Sequence, residues 1–223
     1  EGTTSRVNHD SYTNSGYDRG HMAPNYAIAV GYGTIAQRQT FYMSNICPQT
    51  PELNQQTWKD LEQLVAREYA QEYEQVWVIC GPIFDADEET LPSGVHVPDA
   101  FYKIIARLDE DGQIDTLAFI MPQDFRSHTL STYLVSIDEI EEASGIDFFA
   151  ELEDEHEAQF EGKTAEQLWA KVGEPEAVSS TRTVASPTRI VRPTVTEPSP
   201  TRTVQPQPAA TGSTVYVTRT GSK

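Results

Sequence analysis

The segment Tyr17 to Asn25 reads Y-D-R-G-H-M-A-P-N, and His21 within it is suited to proton transfer. An imidazole with an ordinary pKa of about 6.5 is largely neutral at pH 7 and can accept a proton. Arg19 keeps its charge at any working pH and presents forked donors that match phosphate oxygens. Further on, Ser44 to Glu62 reads S-N-I-C-P-Q-T-P-E-L-N-Q-Q-T-W-K-D-L-E, which offers amide groups and one carboxylate. Either Asn54 or Gln49 can give an amide oxygen to a hard cation such as Mg²⁺, which prefers oxygen ligands and keeps several waters. A proton acceptor, an arginine and a hydrated cation meet the needs of phosphodiester hydrolysis, which requires a positioned water, a base and stabilising positive charge.

Other readings of the same residues stand beside this one. A histidine in a turn commonly makes ordinary hydrogen bonds, and Asn45 and Gln49 can satisfy backbone groups at a strand end. Glu62 with Arg67 or Lys59 fits a solvated helix surface. His9, Asp10 and Asp18 offer a second set of metal ligands without any spacing rule to favour it. His96, His128 and His156 have no supporting pattern, and the acidic run Glu151 to Glu161 reads as a solvated face.

The elements that must carry these residues follow from periodicity. Residues 1 to 26 are turn-rich, with Gly20 allowing a tight backbone beside His21. Phe41 to Ile46 reads as a strand ended by Pro48. From Pro51 onward, Trp58, Leu61, Leu64, Val65 and Tyr69 recur at helical spacing, so an amphipathic helix is predicted. On an ideal helix Asn54 and Glu62 lie about 80° and about 12 Å apart, so Glu62 meets an ion at Asn54 through water unless Asn54 precedes the helix. Val76 to Cys80 is an apolar run closed by Gly81-Pro82, as in a strand buried on both faces. Val95 to Val97 pairs nearby, and Phe101 to Leu108 with Ile114 to Met121 form a hairpin whose loop holds Gly112. Ser136 and Glu139 make a capping box for a helix stopped at Gly145, and a last short helix is predicted around Thr164 to Val172. Strands mixed with helices argue for an α+β fold.

Composition divides the 223 residues. From Ala177 onward there are six basic residues and one acid, a tail of +5, which leaves −18 minus 5, or −23, on residues 1 to 176. That acidity is unusual for handling a polyanion, since phosphate contacts draw on basic side chains; Arg6, Arg19, Arg38 and a divalent cation supply a local positive patch. After Gly173 the chain is rich in Pro, Ser and Thr and is expected to form a disordered linker over 174–212. Residues 213–223 read as the opening of a C-terminal module, behind a main domain at 1–173. The sequence lacks a run of about 18 apolar residues, so no membrane span is predicted. Neither an initiator Met nor a signal peptide opens the chain, which points to processing or cropping at that end. Cys47 and Cys80 read as two small buried residues or as a disulfide between neighbouring strands.

Taken together, D-R-G-H-M-A-P at Asp18 to Pro24, F-Y-M-S-N-I-C-P-Q at Phe41 to Gln49 and L-N-Q-x-x-W-x-x-L-E at Leu53 to Glu62 resemble the DNA/RNA non-specific endonuclease family, in particular its endonuclease G-like members. The likeness continues through V-W-V-I-C-G-P-I-F, V-P-D-A-F-Y-K and S-I-D-E-I-E-E-A-S-G and covers roughly residues 5 to 160. It implies a ββα-metal (His-Me finger) nuclease with a central antiparallel sheet flanked by helices. By that likeness His21 is the general base, Asn54 the direct protein ligand of one Mg²⁺ (Mn²⁺ as a substitute), and Arg19 a stabiliser of the transition state. Glu62 would hold metal-bound water, with Asn45, Gln49, Asp18 and Arg6 supporting the site or the substrate. The resemblance implies cleavage of DNA and RNA to 5'-phosphate products. It also implies a secreted or periplasmic protein, a homodimer as one assembly, and an inhibitor protein that restrains the enzyme. In family members an opening strand and a further arginine precede D-R-G-H, and here 17 residues precede Asp18. Arg6 is not readily equated with that arginine. A non-catalytic binding protein on a truncated nuclease fold, and a phosphodiesterase for small nucleotides, are the competing readings.

Overall fold

A computed structural model of the chain describes residues 7–73, 75–85, 89–124 and 126–170, together with the backbone of 214–219. Its main sheet is fully antiparallel and five-stranded, in the order β8-β7-β6-β3-β9. These strands are β3 (Gln75–Ile83), β6 (Ala100–Leu108), β7 (Ile114–Pro122), β8 (Leu134–Val135) and β9 (Thr214–Arg219). A separate two-stranded sheet pairs β1 (Asp18–His21) with β2 (Ile46–Gln49), Gly20 lying opposite Cys47 and His21 opposite Ile46. A third small sheet joins β4 (Glu89–Thr90) to β5 (His96–Val97), the local pairing expected of Val95 to Val97.

Side-chain alternation divides the main sheet into two buried faces. Val76, Val78 and Cys80 of β3, Phe101 and Ile105 of β6, and Leu117, Phe119 and Met121 of β7 face one core. Against them lies the amphipathic helix, which contributes Trp58, Leu61, Leu64, Val65 and Tyr69. It comprises a π-helical turn Leu53–Thr57, α2 (Trp58–Leu64), a second π-helical turn Val65–Tyr69 and α3 (Ala70–Glu72). Leu61 is completely buried, and cutting it to alanine would cost about 2–5 kcal/mol. On the other face Tyr102, Ile104 and Ala118 pack with Ile137 and Ile140 of α4 (Ile137–Ser144), and with Phe148 and Phe160. Ser136 and Glu139 form the capping box, and Gly145 ends α4 at φ 68°. Gly112, at φ 76°, turns the β6–β7 hairpin.

Four local expectations are corrected. The stretch Phe41 to Ile46 is not a strand: it contains a 3₁₀ turn, Met43–Asn45, and β2 begins at Ile46 and runs through Pro48. That proline is tolerated because β2 has one strand neighbour, so its missing N–H falls on an open edge. For the same reason β3 continues past Gly81-Pro82, since β9 pairs only as far as Cys80. Burial on both faces belongs to β6 rather than to β3, whose residues alternate between buried and half-buried. Residues 164–170 form no helix; Trp169 instead packs its ring 4.9 Å from Tyr69 and 5.5 Å from Tyr73. That tertiary burial overrides a weak local helical pattern.

The acidic run is not wholly solvated either, because Phe160 and Glu161 are buried beyond α5 (Asp154–Glu157). A helix unread in the sequence, α1 (Asn25–Gln39), is broken at Gly33 with φ 81° and leaves Val30 and Ile35 exposed. Arg6 and the linker 174–212 lie outside the described residues, whereas Thr214–Arg219, read from sequence as opening a further module, pairs with β3. Cys47 and Cys80 are unbridged. Among the described residues no helix is long and apolar enough to cross a membrane.

Candidate active site

β1 and the start of the long helix meet over a cleft of about 310 Å³ lined by His21, Asn54 and Glu62, with Asn25, Lys59 and Arg67 at its margins. The π-helical turn Leu53–Thr57 opens the helix at its first turn, and Asn54 sits in it with its backbone N–H donating to the Thr50 carbonyl at 2.9 Å. Asn54 is therefore within the helix, so Glu62 stands two turns further along and would reach an ion at Asn54 only through water.

Asp18 fixes the amide of Asn54. Its Oδ2 accepts from Asn54 Nδ2 at 2.9 Å and from Gln55 Nε2 at 2.8 Å. With the nitrogen so engaged, the Asn54 side-chain oxygen is left for another donor or a cation.

His21 is half-buried; its Nε2 is covered from solvent and has no hydrogen-bond partner among the described residues. Burial lowers the imidazole below its usual pKa, opposed by a weaker hydrogen bond to the Arg19 backbone carbonyl. A neutral imidazole lining the cleft is the state a general base needs. Phe41 stands edge-on at 5.3 Å between ring centroids and walls one side of the ring. Trp58 Nε1 donates to the His21 carbonyl at 3.2 Å and so ties β1 to the helix.

Asn45 and Gln49 shape β1 from below. Asn45 Oδ1 accepts from the Ala23 N–H at 2.9 Å, while Nδ2 donates to the Ala23 carbonyl at 3.0 Å and the Thr40 carbonyl at 2.9 Å. It holds the turn directly after His21 and does not line the cleft. Gln49 is fully buried beneath Gly20, where a Cβ would run into its amide. Only glycine permits this approach, which accounts for its place before His21.

Two sequence expectations change here. Glu62 is not a solvated surface residue: its Oε1 is covered, although 19 % of the side chain opens to the cleft. Burial pushes its carboxyl up to about 7, opposed first by the charge of Lys103. Arg19 is not beside His21 in the cleft. Its Nη2 donates to the His9 carbonyl at 2.7 Å and its guanidinium lies 5.8 Å over the Tyr12 ring, a carbonyl and an aromatic face that attract a cation. His9 and Asp10 lie in the turn His9–Tyr12, and among the described residues they join no metal-ligand cluster with Asp18.

Lys103 was not foreseen. It is completely buried on β6, its Nζ 3.7 Å from Glu62 Oε1 and 3.9 Å from the centroid of the Trp58 ring. The pair is too long for a hydrogen bond, so its attraction is Coulombic and acts across poorly solvated space. A signal existed in the sequence: Lys103 shares strand parity with Phe101 and Ile105, both in the core under the helix. A lysine at such a position needs a partner.

The donor set in the cleft consists of an amide oxygen and a carboxylate, oxygen ligands that suit a hard divalent cation. The part of Glu62 that opens to the cleft and the oriented Asn54 amide are the features that fit such an ion.

The family described as DNA/RNA non-specific endonuclease matches residues 2–155. Human mitochondrial endonuclease G is 35 % identical over 156 residues, covering 64 % of this chain and 52 % of its own length. A nuclease of Nostoc sp. is 32 % identical over 167 residues, covering 71 % and 60 %. A crystal structure of the EndoG/EndoGI complex, concerned with EndoG inhibition, aligns with a TM-score of 0.57 at 28 % identity, over 67 % of this chain and 66 % of that one. The chain thus spans about half the length of the mitochondrial relative. The fold is α+β and of the ββα-metal type, with β1, β2 and the long helix forming the motif.

Proposed function

Since this chain belongs to the DNA/RNA non-specific endonuclease family, we propose that it is a metal-dependent endonuclease that hydrolyses phosphodiester bonds of DNA and RNA to 5'-phosphate products. The observation that carries the reading is the convergence, on one cleft, of the His21 imidazole with the Asn54 amide that Asp18 orients. Mg²⁺, with Mn²⁺ as a substitute, would be held by the Asn54 side-chain oxygen and, through water, by Glu62; bound there it supplies positive charge to the scissile phosphate and the leaving oxygen.

His21 takes the proton of the attacking water, its burial favouring the neutral imidazole. Trp58 and the Asn45-braced turn hold the strand carrying His21 against the helix, so the base and Asn54 keep a fixed separation. Arg19, exposed on the same strand two residues away, contributes a cation at the rim, where release from the His9 carbonyl would free its fork for phosphate. Lys103 holds Glu62 toward its ionised form from behind. Little of this machinery reads base edges, and contacts to phosphate carry no sequence information, which suits low selectivity. An inhibitor protein, a homodimer and a secreted or periplasmic site of action belong to the same proposal; the similarity to EndoG, solved in complex with EndoGI, supports the first of these.

The test is plasmid linearisation and RNA digestion by the purified chain. Cleavage should require Mg²⁺ and stop with EDTA, and His21→Ala should lose about 10²–10⁴-fold in rate. Undiminished cleavage by His21→Ala would refute the assignment of the base.

A further inference from the structure

On the face of the main sheet away from the cleft, three carboxylates converge. Asp138 and Glu141 stand one helical turn apart on α4, and Glu161 approaches from the segment after α5. One oxygen from each lies within 4.8 Å of the others. The backbone sets this arrangement, because the Glu161 carbonyl accepts from Ile137 N–H at 2.9 Å and from Asp138 N–H at 3.3 Å. The first amides of α4 are thus already satisfied by that carbonyl and by the capping box, so the three carboxylates are not needed as caps.

Glu161 adds a second, independent observation. Its residue surface is only 7 % exposed, and its Oε1 is covered and has no hydrogen-bond partner. An unpaired buried carboxylate oxygen is costly. Burial first, and then the charges of Glu141, Glu157, Asp138 and Asp147, push its carboxyl up to about 7. The four charged groups that act on it, among the described residues, are all acids.

We propose that Asp138, Glu141 and Glu161 form a structural site for a calcium-class divalent cation, distinct from the catalytic cleft, that pins the 160–161 segment to α4. Ca²⁺ accepts flexible carboxylates at about 2.3–2.6 Å, an oxygen shell about 5 Å across, into which three oxygens so spaced fit with little movement. Mg²⁺ demands a tighter shell and keeps its waters, so it binds here less well. An ion so placed would close the second core at its margin, where Phe160 packs with Ile137, Ile140 and Phe148.

Thermal unfolding of the full chain with CaCl₂ tests this without using activity. At ten times its dissociation constant, Ca²⁺ should raise Tm by about 3–6 °C. Glu161→Gln, which keeps the shape and removes the charge, should be at least as stable as the parent in EDTA yet gain nothing from Ca²⁺. Asn54→Ala should keep the full Ca²⁺ shift, which separates this site from any ion in the cleft. Equilibrium dialysis with ⁴⁵Ca should count one ion fewer on Glu161→Gln, and on Glu141→Gln should the first variant fail to fold. The proposal is overturned if Ca²⁺ leaves Tm unchanged, or if its effect survives Glu161→Gln, or if the effect disappears in Asn54→Ala. None of those outcomes bears on whether His21 cleaves nucleic acid.

Discussion

Replacing Lys103 with methionine should disable cleavage at neutral pH and restore it in alkali. The substitution keeps the length and approximate volume of the side chain and removes one charge from a completely buried position. Lys103 Nζ stands 3.7 Å from Glu62 Oε1, which at an effective dielectric of 20 corresponds to about 4 kcal/mol of attraction. That is about 3 pKa units, or about half as much once screening through the open edge of Glu62 is allowed for. Starting from about 7, the carboxyl of Glu62 would then titrate between about 8.5 and about 10. At pH 7.5 its ionised share falls from about three quarters to between about a tenth and under a hundredth, so the rate should drop about tenfold to a few hundredfold. The assay is supercoiled-plasmid relaxation under excess Mg²⁺, from pH 6.5 to 9.5, with circular dichroism at each pH to verify folding. The deficit relative to wild type should shrink steadily toward pH 9.5. Full activity at pH 7.5, or a deficit that is the same at every pH, would refute the claim that Lys103 acts by keeping Glu62 ionised.

Three further outcomes follow from the same geometry. Because burial lowers the His21 pKa below its usual value, cleavage by wild type should rise with pH first on a His21 limb centred below about 6.5, then through about 7 as Glu62 ionises, and level off above that; a rise that continues beyond about pH 8 in initial-rate measurements would contradict this. Gly20→Ala should cost about 1–3 kcal/mol by urea unfolding, since its Cβ meets the buried Gln49 amide, and Gln49→Ala should restore most of the loss. Glu62 is raised from 4.5 to about 7 in the folded state, so the native chain binds more protons than the unfolded one in that interval. Its contribution to stability is full below pH 4.5 and is lost as pH rises through about 7, and the fall in Tm across that interval should be shallower in Glu62→Gln.

The sequence alone determined the elements whose signals are local. Trp58, Leu61, Leu64, Val65 and Tyr69 recur at helical spacing, the Ser136–Glu139 box and Gly145 delimit α4, and Gly112 turns a hairpin of two apolar runs. His21, Asn54 and Glu62 were legible as chemistry because their types and their place around one strand and one helix suffice to suggest it. Tertiary structure decided what depends on contacts between distant residues. Whether Pro48 and Pro82 interrupt a strand depends on which edge has a neighbour, and whether 164–170 coils depends on a cavity for Trp169 beside Tyr69. Asp18 orients the amide of Asn54 across 36 positions of chain, Lys103 charges the surroundings of Glu62 from a different strand, and Arg19 is drawn to the His9 carbonyl. Periodicity and caps are written along the backbone within a few residues, whereas the ionisation of a buried carboxylate is set by whatever the folded chain brings within a few ångströms of it.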